Sequence, residues 1–280
     1  MRTLSRQHSF LFLLQTAAFL TLAGYAWLSW TGQSPLSVLF WNEQWLRGAV
    51  GSLSGMSWEA YLASPATSRF WSGVEWGMGL ALSLAAVSAW IAQAKPRLAA
   101  PFLLFGFLLV LLFSILYGFD KIFFWVQMPE YALQWGAPLF LAVWLSAKIQ
   151  TRVVWGLRIV AAVTFAAHGL YALNIAPRPG SFIEMTMSIL HVSQSTAGHI
   201  LTVAGALDWA AALLILLPFP RWQKAALIYM VLWGLLTTLA RWAAYVHFDL
   251  PWWPQTFLAW TPEVLIRTPH FLIPLALLRR

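Results

Sequence analysis

Long apolar runs recur along the chain, separated by short clusters of charge, proline and tryptophan. About 20 apolar residues in an α-helix rise roughly 30 Å, the thickness of a bilayer's hydrocarbon core. Runs near this length predict membrane-spanning helices. Eight are expected: Phe10–Trp30, Trp71–Gln93, Leu98–Phe119, Trp135–Ala147, Val154–Asn174, His199–Leu217, Ala225–Tyr245 and Pro262–Leu278. The fourth and eighth are short and contain proline. The first is long enough to span and has no convincing small-residue cleavage site, so it reads as a helix rather than a signal peptide.

Two long connections, Thr31–Phe70 and Ile175–Gly198, interrupt the pattern, and Trp41, Trp45, Trp58, Trp252, Trp253 and Trp260 lie in or beside connections on the same side. Tryptophan at that level predicts an aromatic belt over interfacial helices; a Trp-lined ligand vestibule is the alternative. In "SFIEMTMSILHVS", Ser181 is placed to cap a helix whose Phe182, Met185, Ile189 and Leu190 share one face. That helix is expected to lie on the membrane.

Composition agrees with the pattern. Hydrophobic residues make up 60% of the 280 and charged ones 9%, which excludes an ordinary soluble domain. With no cysteine there is no disulfide, thiolate zinc, iron–sulfur cluster or cysteine nucleophile. The net charge of +8 is divided into short clusters between spans, so it predicts contacts to anionic lipid rather than to nucleic acid. Met1–Ser9, Ala94–Arg97, Lys148–Arg152, Pro218–Lys224 and Arg279–Arg280 carry ten Lys/Arg and no acid. All nine Asp/Glu lie in the opposite loops or in spans. The positive-inside rule then places both termini in the cytoplasm, in what is expected to be a bacterial inner membrane.

The two halves of the chain echo one another. "GVEWGMGLALSL" from Gly73 resembles "GALDWAAALLIL" from Gly205, matching Glu75–Trp76 to Asp208–Trp209. "KPRLAAPFLLFGFLL" corresponds to "FPRWQKAALIYMVLWGLL", "YGFDKIFFW" to "YVHFDLPWW", and "APLFLAVWL" to "TPHFLIPLALL". The order is kept at a nearly constant offset of almost half the chain. The expected architecture is an all-α polytopic membrane protein of eight helices in two parallel four-helix repeats, 1–150 and 151–280, with interfacial helices on the outer side. An even number of spans per repeat gives both the same orientation.

Ionisable residues inside spans are the candidate chemistry, since a charge at bilayer depth costs about 2.5–3.5 kcal/mol on insertion scales. Counting helical rise from the span ends puts Asp208 roughly 14 Å below the outer boundary, and Arg241 and His168 about 9 Å. With Tyr171 one turn from His168 and Tyr245 one turn from Arg241, these residues predict a polar pocket in the outer half of the second repeat. One reading is a structural Asp208–Arg241 ion pair. The other is a site where that pair binds a polar head group and His168 or Tyr171 donates a hydrogen bond or passes a proton. Glu75 is the counterpart of Asp208 but has no arginine matching Arg241. Asp120, Lys121, Asp249, Glu263 and Arg267 read as boundary charges. Five histidines (His168, His191, His199, His247 and His270) lie on or near the outer side, but only His168 is clearly within a span, which disfavours haem and a histidine metal site. No HExxH, GxSxG, Walker or dinucleotide motif occurs.

"VTFAAHGLYAL", followed by an outer loop and then "GALDWAAALLILLPFPRWQKAALIYMVLWGLL", resembles the DoxX-like family of four-span membrane proteins. Its His/Gly motif would correspond to His168 and Gly169, its glycine–acidic segment to Gly205 and Asp208, and its basic turn to Arg221. Ala172 stands where the family usually has lysine. The resemblance covers Val163–Leu236 of the second half and, more faintly, Gly73–Leu104 of the first. It implies a tandem duplication and association with membrane redox systems, including thiosulfate:quinone oxidoreductase. The expectation that follows is a subunit of a quinone-linked or other redox assembly, with lipids and other membrane subunits as partners. Its outer-leaflet pocket, formed by His168, Tyr171, Asp208 and Arg241, with Glu75 as a further candidate, would bind a quinone or lipid. A transporter with parallel repeats and a non-catalytic structural subunit are the alternatives.

Overall fold

A computed structural model describes residues 2–120, 124–146 and 150–280. Every regular element among these residues is a helix. In chain order they are α1 (Arg2–Trp30), α2 (Leu36–Phe40), α3 (Glu43–Ser54), α4 (Trp58–Ala63), α5 (Pro65–Ile91), α6 (Pro96–Asp120), α7 (Phe124–Glu130), α8 (Ala132–Ser146), α9 (Gln150–Ala172), α10 (Gly180–Leu190), α11 (Gln194–Leu214), α12 (Pro220–Tyr245), α13 (Trp253–Arg267) and α14 (Pro269–Arg279). Among the described residues six helices, α1, α5, α6, α9, α11 and α12, are long and apolar enough to cross a membrane. The chain is an integral membrane protein of the helical, polytopic class, the architecture in which each segment satisfies its own backbone hydrogen bonds.

Two expected spans take another form. α8 has 15 residues, roughly 22 Å of helix, and the expected end at Ala147 lies outside the described residues, as do Lys121 and Lys148. The run Pro262–Leu278 is divided between α13 and α14. Pro269 has no N–H to give the preceding turn, and the helix restarts with that proline in its first turn. The start of α11 also differs: it begins at Gln194, five residues before the expected boundary at His199, and Ser193 caps it, accepting from Thr196 N at 3.3 Å.

α1 packs along α5, α5 on α6, and α6 on α7 and α8. In the same order α9 packs along α11, α11 on α12, and α12 on α13 and α14. α1 also lies against α13 and α14, just as α9 lies against α7 and α8. The shared core runs between these sets, with Leu14, Leu22, Tyr25, Phe113, Leu133 and Leu157 fully buried.

α2, α3 and α4 form the first long connection. Arg47 ties α3 to α4, 2.9 Å from Glu43 and 3.5 Å from Glu59. Backbone N–H bonding at the start of α4, with the Ser57 hydroxyl, holds the Glu59 carboxyl below the usual carboxylate range. In the second connection Asn174 takes φ 61° just after α9, and its side chain accepts from Arg178 N at 3.0 Å. Arg178 in turn donates to the carbonyls of Ala172 and Gly198 and to the Thr202 hydroxyl. That clamp fixes where α10 begins. Pro179 precedes α10 without a side-chain cap, and Ser181 is exposed rather than capping. Phe182, Met185, Ile189 and Leu190 do share a face, but it turns inward to line a cavity instead of resting on the membrane.

Glycine sets the closest crossings. A Cβ on Gly205 would stand 2.9 Å from the Ala172 Cβ, and one on Gly169 would collide with Trp209. One on Gly234 would run into the His270 carbonyl where α12 crosses α14. Nothing lies within 4 Å of the Cβ position of Gly77. Gly234→Ala should therefore lower stability by about 1–3 kcal/mol, as overpacking does, whereas Gly77→Ala should leave it unchanged. Thermal unfolding in detergent compares the two.

Candidate functional site

Four charged side chains meet where α7, α12 and α13 converge. Arg267, on the last turn of α13, is central: its Nη1 is 3.7 Å from Glu130 Oε1 and its Nη2 is 3.5 Å from Glu263 Oε2, one turn back on its own helix. Arg241 Nε is 3.8 Å from the other side of the group, at Glu263 Oε2, while its Nη1 donates to the Thr237 carbonyl at 2.7 Å. Glu130 is 4% exposed and Arg241 8%. Two arginines and two glutamates thus balance in a setting where an unpaired charge would be severely destabilising.

Neutral groups complete the cluster. Gln127 Nε2 donates to Glu130 Oε2 at 2.7 Å, and the Tyr171 hydroxyl donates to Gln127 Oε1 at 3.4 Å. His168 Nδ1 lies 3.8 Å from Glu130 Oε1. His168 and His270 meet edge to face, their ring centroids 5.4 Å apart. His270 Nδ1 is 2.8 Å from the Arg267 carbonyl, which also accepts from the Thr238 hydroxyl at 3.2 Å.

His168, Tyr171 and Arg241 therefore share one network, as their depth in the sequence predicts. Asp208 has a different partner: it accepts from the Tyr229 hydroxyl at 2.8 Å, with Trp233 as a second donor, and not from Arg241. The reason is depth. Because α11 begins at Gln194, Asp208 is 14 residues along it, roughly 21 Å in. Tyr229 precedes Arg241 by twelve residues, roughly 18 Å along α12. Glu75 is remote from the cluster, half-buried, and accepts from Ser34 Oγ at 2.9 Å. Tyr245 stacks on Trp260, 4.1 Å between centroids, and His191, His199, His247 and Asp249 are exposed.

Sequence reading placed Glu263 and Arg267 at the membrane boundary and gave Glu130 no role; the structure joins all three in one cluster, Glu130 buried and Glu263 and Arg267 partly so. A signal was present. Pro-Glu occurs at Pro129–Glu130 and again at Pro262–Glu263, each between the same two segments of the internal echo.

A cavity of about 320 Å³ borders the cluster. His168, Asp208, Arg241, Arg267 and His270 line it. So do Phe182, Met185 and Ile189 of α10, Leu201 of α11 and Ala240 of α12. Leu190, Leu236 and Leu239 also line it and are 50%, 61% and 40% exposed, so the cavity reaches the lipid-facing surface. Among the described residues no group of three or more His, Cys, Asp or Glu could hold a metal ion.

If the ion cluster holds the bundle together, Arg267→Gln should cost about 3–5 kcal/mol, because it leaves two buried carboxylates without their common partner. Glu75→Gln, at a half-buried hydroxyl-bonded site, should change stability by less than about 1 kcal/mol. Equal melting temperatures for the two variants would show that the cluster is not structural.

Set against known proteins, the chain matches no family model, no curated protein and no solved structure, so its function rests on the chemistry of its own residues.

Proposed function

We propose that the chain is an integral subunit of a quinone-linked or other membrane redox assembly that holds the polar head of an amphiphile, a quinone or a lipid, in the cavity between α10 and the charged cluster. The observation that carries this reading is a cavity lined by both ionisable and apolar side chains, with exposed leucines among its lining. Its volume is at the lower end of the range for small-molecule sites, enough for a head group whose tail leaves past those leucines. Arg241 and Arg267 both line the cavity, and a guanidinium group is a donor suited to a carbonyl or hydroxyl oxygen of the head. The quinone class comes from the DoxX-like resemblance of His168–Gly169 and Gly205–Asp208, which we extend to a tandem duplication.

Two parallel four-helix repeats, 1–150 and 151–280, fit the matching order of neighbours in the two halves. In the eight-crossing form the fourth and eighth crossings are broken helices, α7 with α8 and α13 with α14. Discontinuous helices are tolerated at membrane depth where they border a polar cavity. We place both termini in the cytoplasm of a bacterial inner membrane. The chain has no cysteine, so single ones report cleanly. In intact cells an impermeant thiol reagent should label Ser52→Cys and not Ala94→Cys; the reverse pattern would invert the topology.

Ligand occupancy is tested by solvent extraction of gently purified protein and mass spectrometry. A prenylquinone or one lipid class should be recovered near one per chain. Ala240→Phe, which fills the cavity without touching the charges, should lower recovery at least tenfold with unchanged melting. Equal recovery from both proteins would exclude the cavity as the site.

A further inference from the structure

We infer that Asp208 is a proton-binding site within the membrane: its carboxyl holds a proton and donates it to the Tyr229 hydroxyl, which donates its own to the Ala204 carbonyl. This holds whichever molecule fills the cavity.

The acids of the bundle keep different company. Glu130 and Glu263 have Arg267 at 3.7 Å and 3.5 Å, so their charge is balanced. Asp208 is 2% exposed, and among the described residues no cation lies within ion-pair distance of it. α11 packs on α9, α10 and α12. From α12 the titratable group that meets Asp208 is Tyr229. On α9, His168 and Tyr171 belong to the Glu130 network instead. α10 brings Phe182, Met185 and Ile189 to the cavity, none of them ionisable. Arg241, Arg267 and His270 line the same cavity, but their polar contacts are with Glu263, Glu130 and backbone carbonyls. An ionised Asp208 would thus be a buried charge at bilayer depth served by neutral donors alone, which is unfavourable there.

Counting protons points the same way. Tyr229 Oη stands 2.8 Å from Asp208 Oδ1 and 3.2 Å from the carbonyl oxygen of Ala204, one turn earlier on α11. A hydroxyl has one proton, and a carbonyl only accepts. With Asp208 ionised, that proton is drawn to the carboxylate and the Ala204 contact has none. The contact at 2.8 Å can also run in the other direction. With Asp208 neutral, its O–H donates to Tyr229, Tyr229 donates to Ala204, and the carboxyl keeps an oxygen to accept from Trp233. Each contact then has its own proton and no charge is buried.

Infrared spectroscopy of the full-length protein in phosphatidylcholine vesicles tests this, because the C=O band of a protonated carboxyl stands apart from carboxylate and amide bands and moves on deuteration. The aspartates of the chain are Asp120, Asp208 and Asp249, and the first and last are exposed to water. A carboxyl in water is ionised in neutral buffer. Protein isotopically labelled at its aspartate side-chain carboxyls should show one protonated-carboxyl band in neutral buffer, displaced from its position in unlabelled protein. That assigns it to Asp208 without any variant. Asp208→Asn, whose amide can still donate to Tyr229 and accept from Trp233, should lose the band entirely. Tyr229→Phe should keep it and raise its frequency, because the O–H loses its acceptor. Labelled protein whose aspartates give carboxylate bands alone would overturn the inference, as would a displaced band that survives Asp208→Asn.

Discussion

The buried Arg267 guanidinium constrains the rest of the bundle. At bilayer depth it needs opposite charge close by, and it has two carboxylates, Glu130 at 3.7 Å and Glu263 at 3.5 Å. Glu263 lies one turn back on the same helix, a contact that helical geometry supplies locally. Glu130 does not come locally: it is borne on α7, in the other half of the chain, and α7 must fold back against α9 to deliver it. A long-range ion pair of this kind adds little net energy over an apolar core but strongly disfavours arrangements that leave one partner alone. It therefore selects the register of α7, α12 and α13 more than it strengthens their association.

Helix breaks place the polar groups around that pair. Where α13 gives way to α14, the Arg267 carbonyl is freed and is taken up by Thr238 and His270. The same crossing is so close that a Cβ on Gly234 would meet the His270 carbonyl, so α12 carries glycine there. Close backbone approach, a freed carbonyl and a fixed imidazole are thus consequences of one interruption. Apolar side chains alone could not build this arrangement, because an interrupted helix facing lipid would leave its backbone groups unpaired.

Much of the fold was legible in the sequence. Six runs of membrane length became six helices, and helical counting brought His168 and Arg241 to one level. The failures share a cause: hydropathy locates apolar stretches but not where a helix begins. The Ser193 cap starts α11 five residues before its apolar run, about 8 Å of helix, so Asp208 lies further along the helix than the run suggests. The face of α10 was read correctly and its direction was not, because periodicity gives a stripe without saying whether membrane or protein covers it. Glu263 and Arg267 read as boundary charges because they stand near the tryptophan-rich connections, and Glu130 had no role. The repeated Pro-Glu marks the two glutamates.

Aligning the two Pro-Glu pairs sets Glu263 against Glu130 and Arg267 against Gln134, and the Pro138 and Pro269 echo that follows sets His270 against Leu139. The glutamate is kept, while the cation and the imidazole stand against an amide and an apolar side chain. Gln134 is fully buried and accepts from the Tyr25 hydroxyl, a neutral contact that needs no counter-charge. Between α1 and α5, Trp30 packs against Gly79 and donates to the Ser83 hydroxyl at 3.3 Å, occupying space beside the helix pair. The two halves therefore differ in polarity at corresponding places. The first half supplies Glu130 to balance a charge it does not itself carry. The second half, relieved of that electrostatic cost, can keep Arg267 and His270 beside an open cavity.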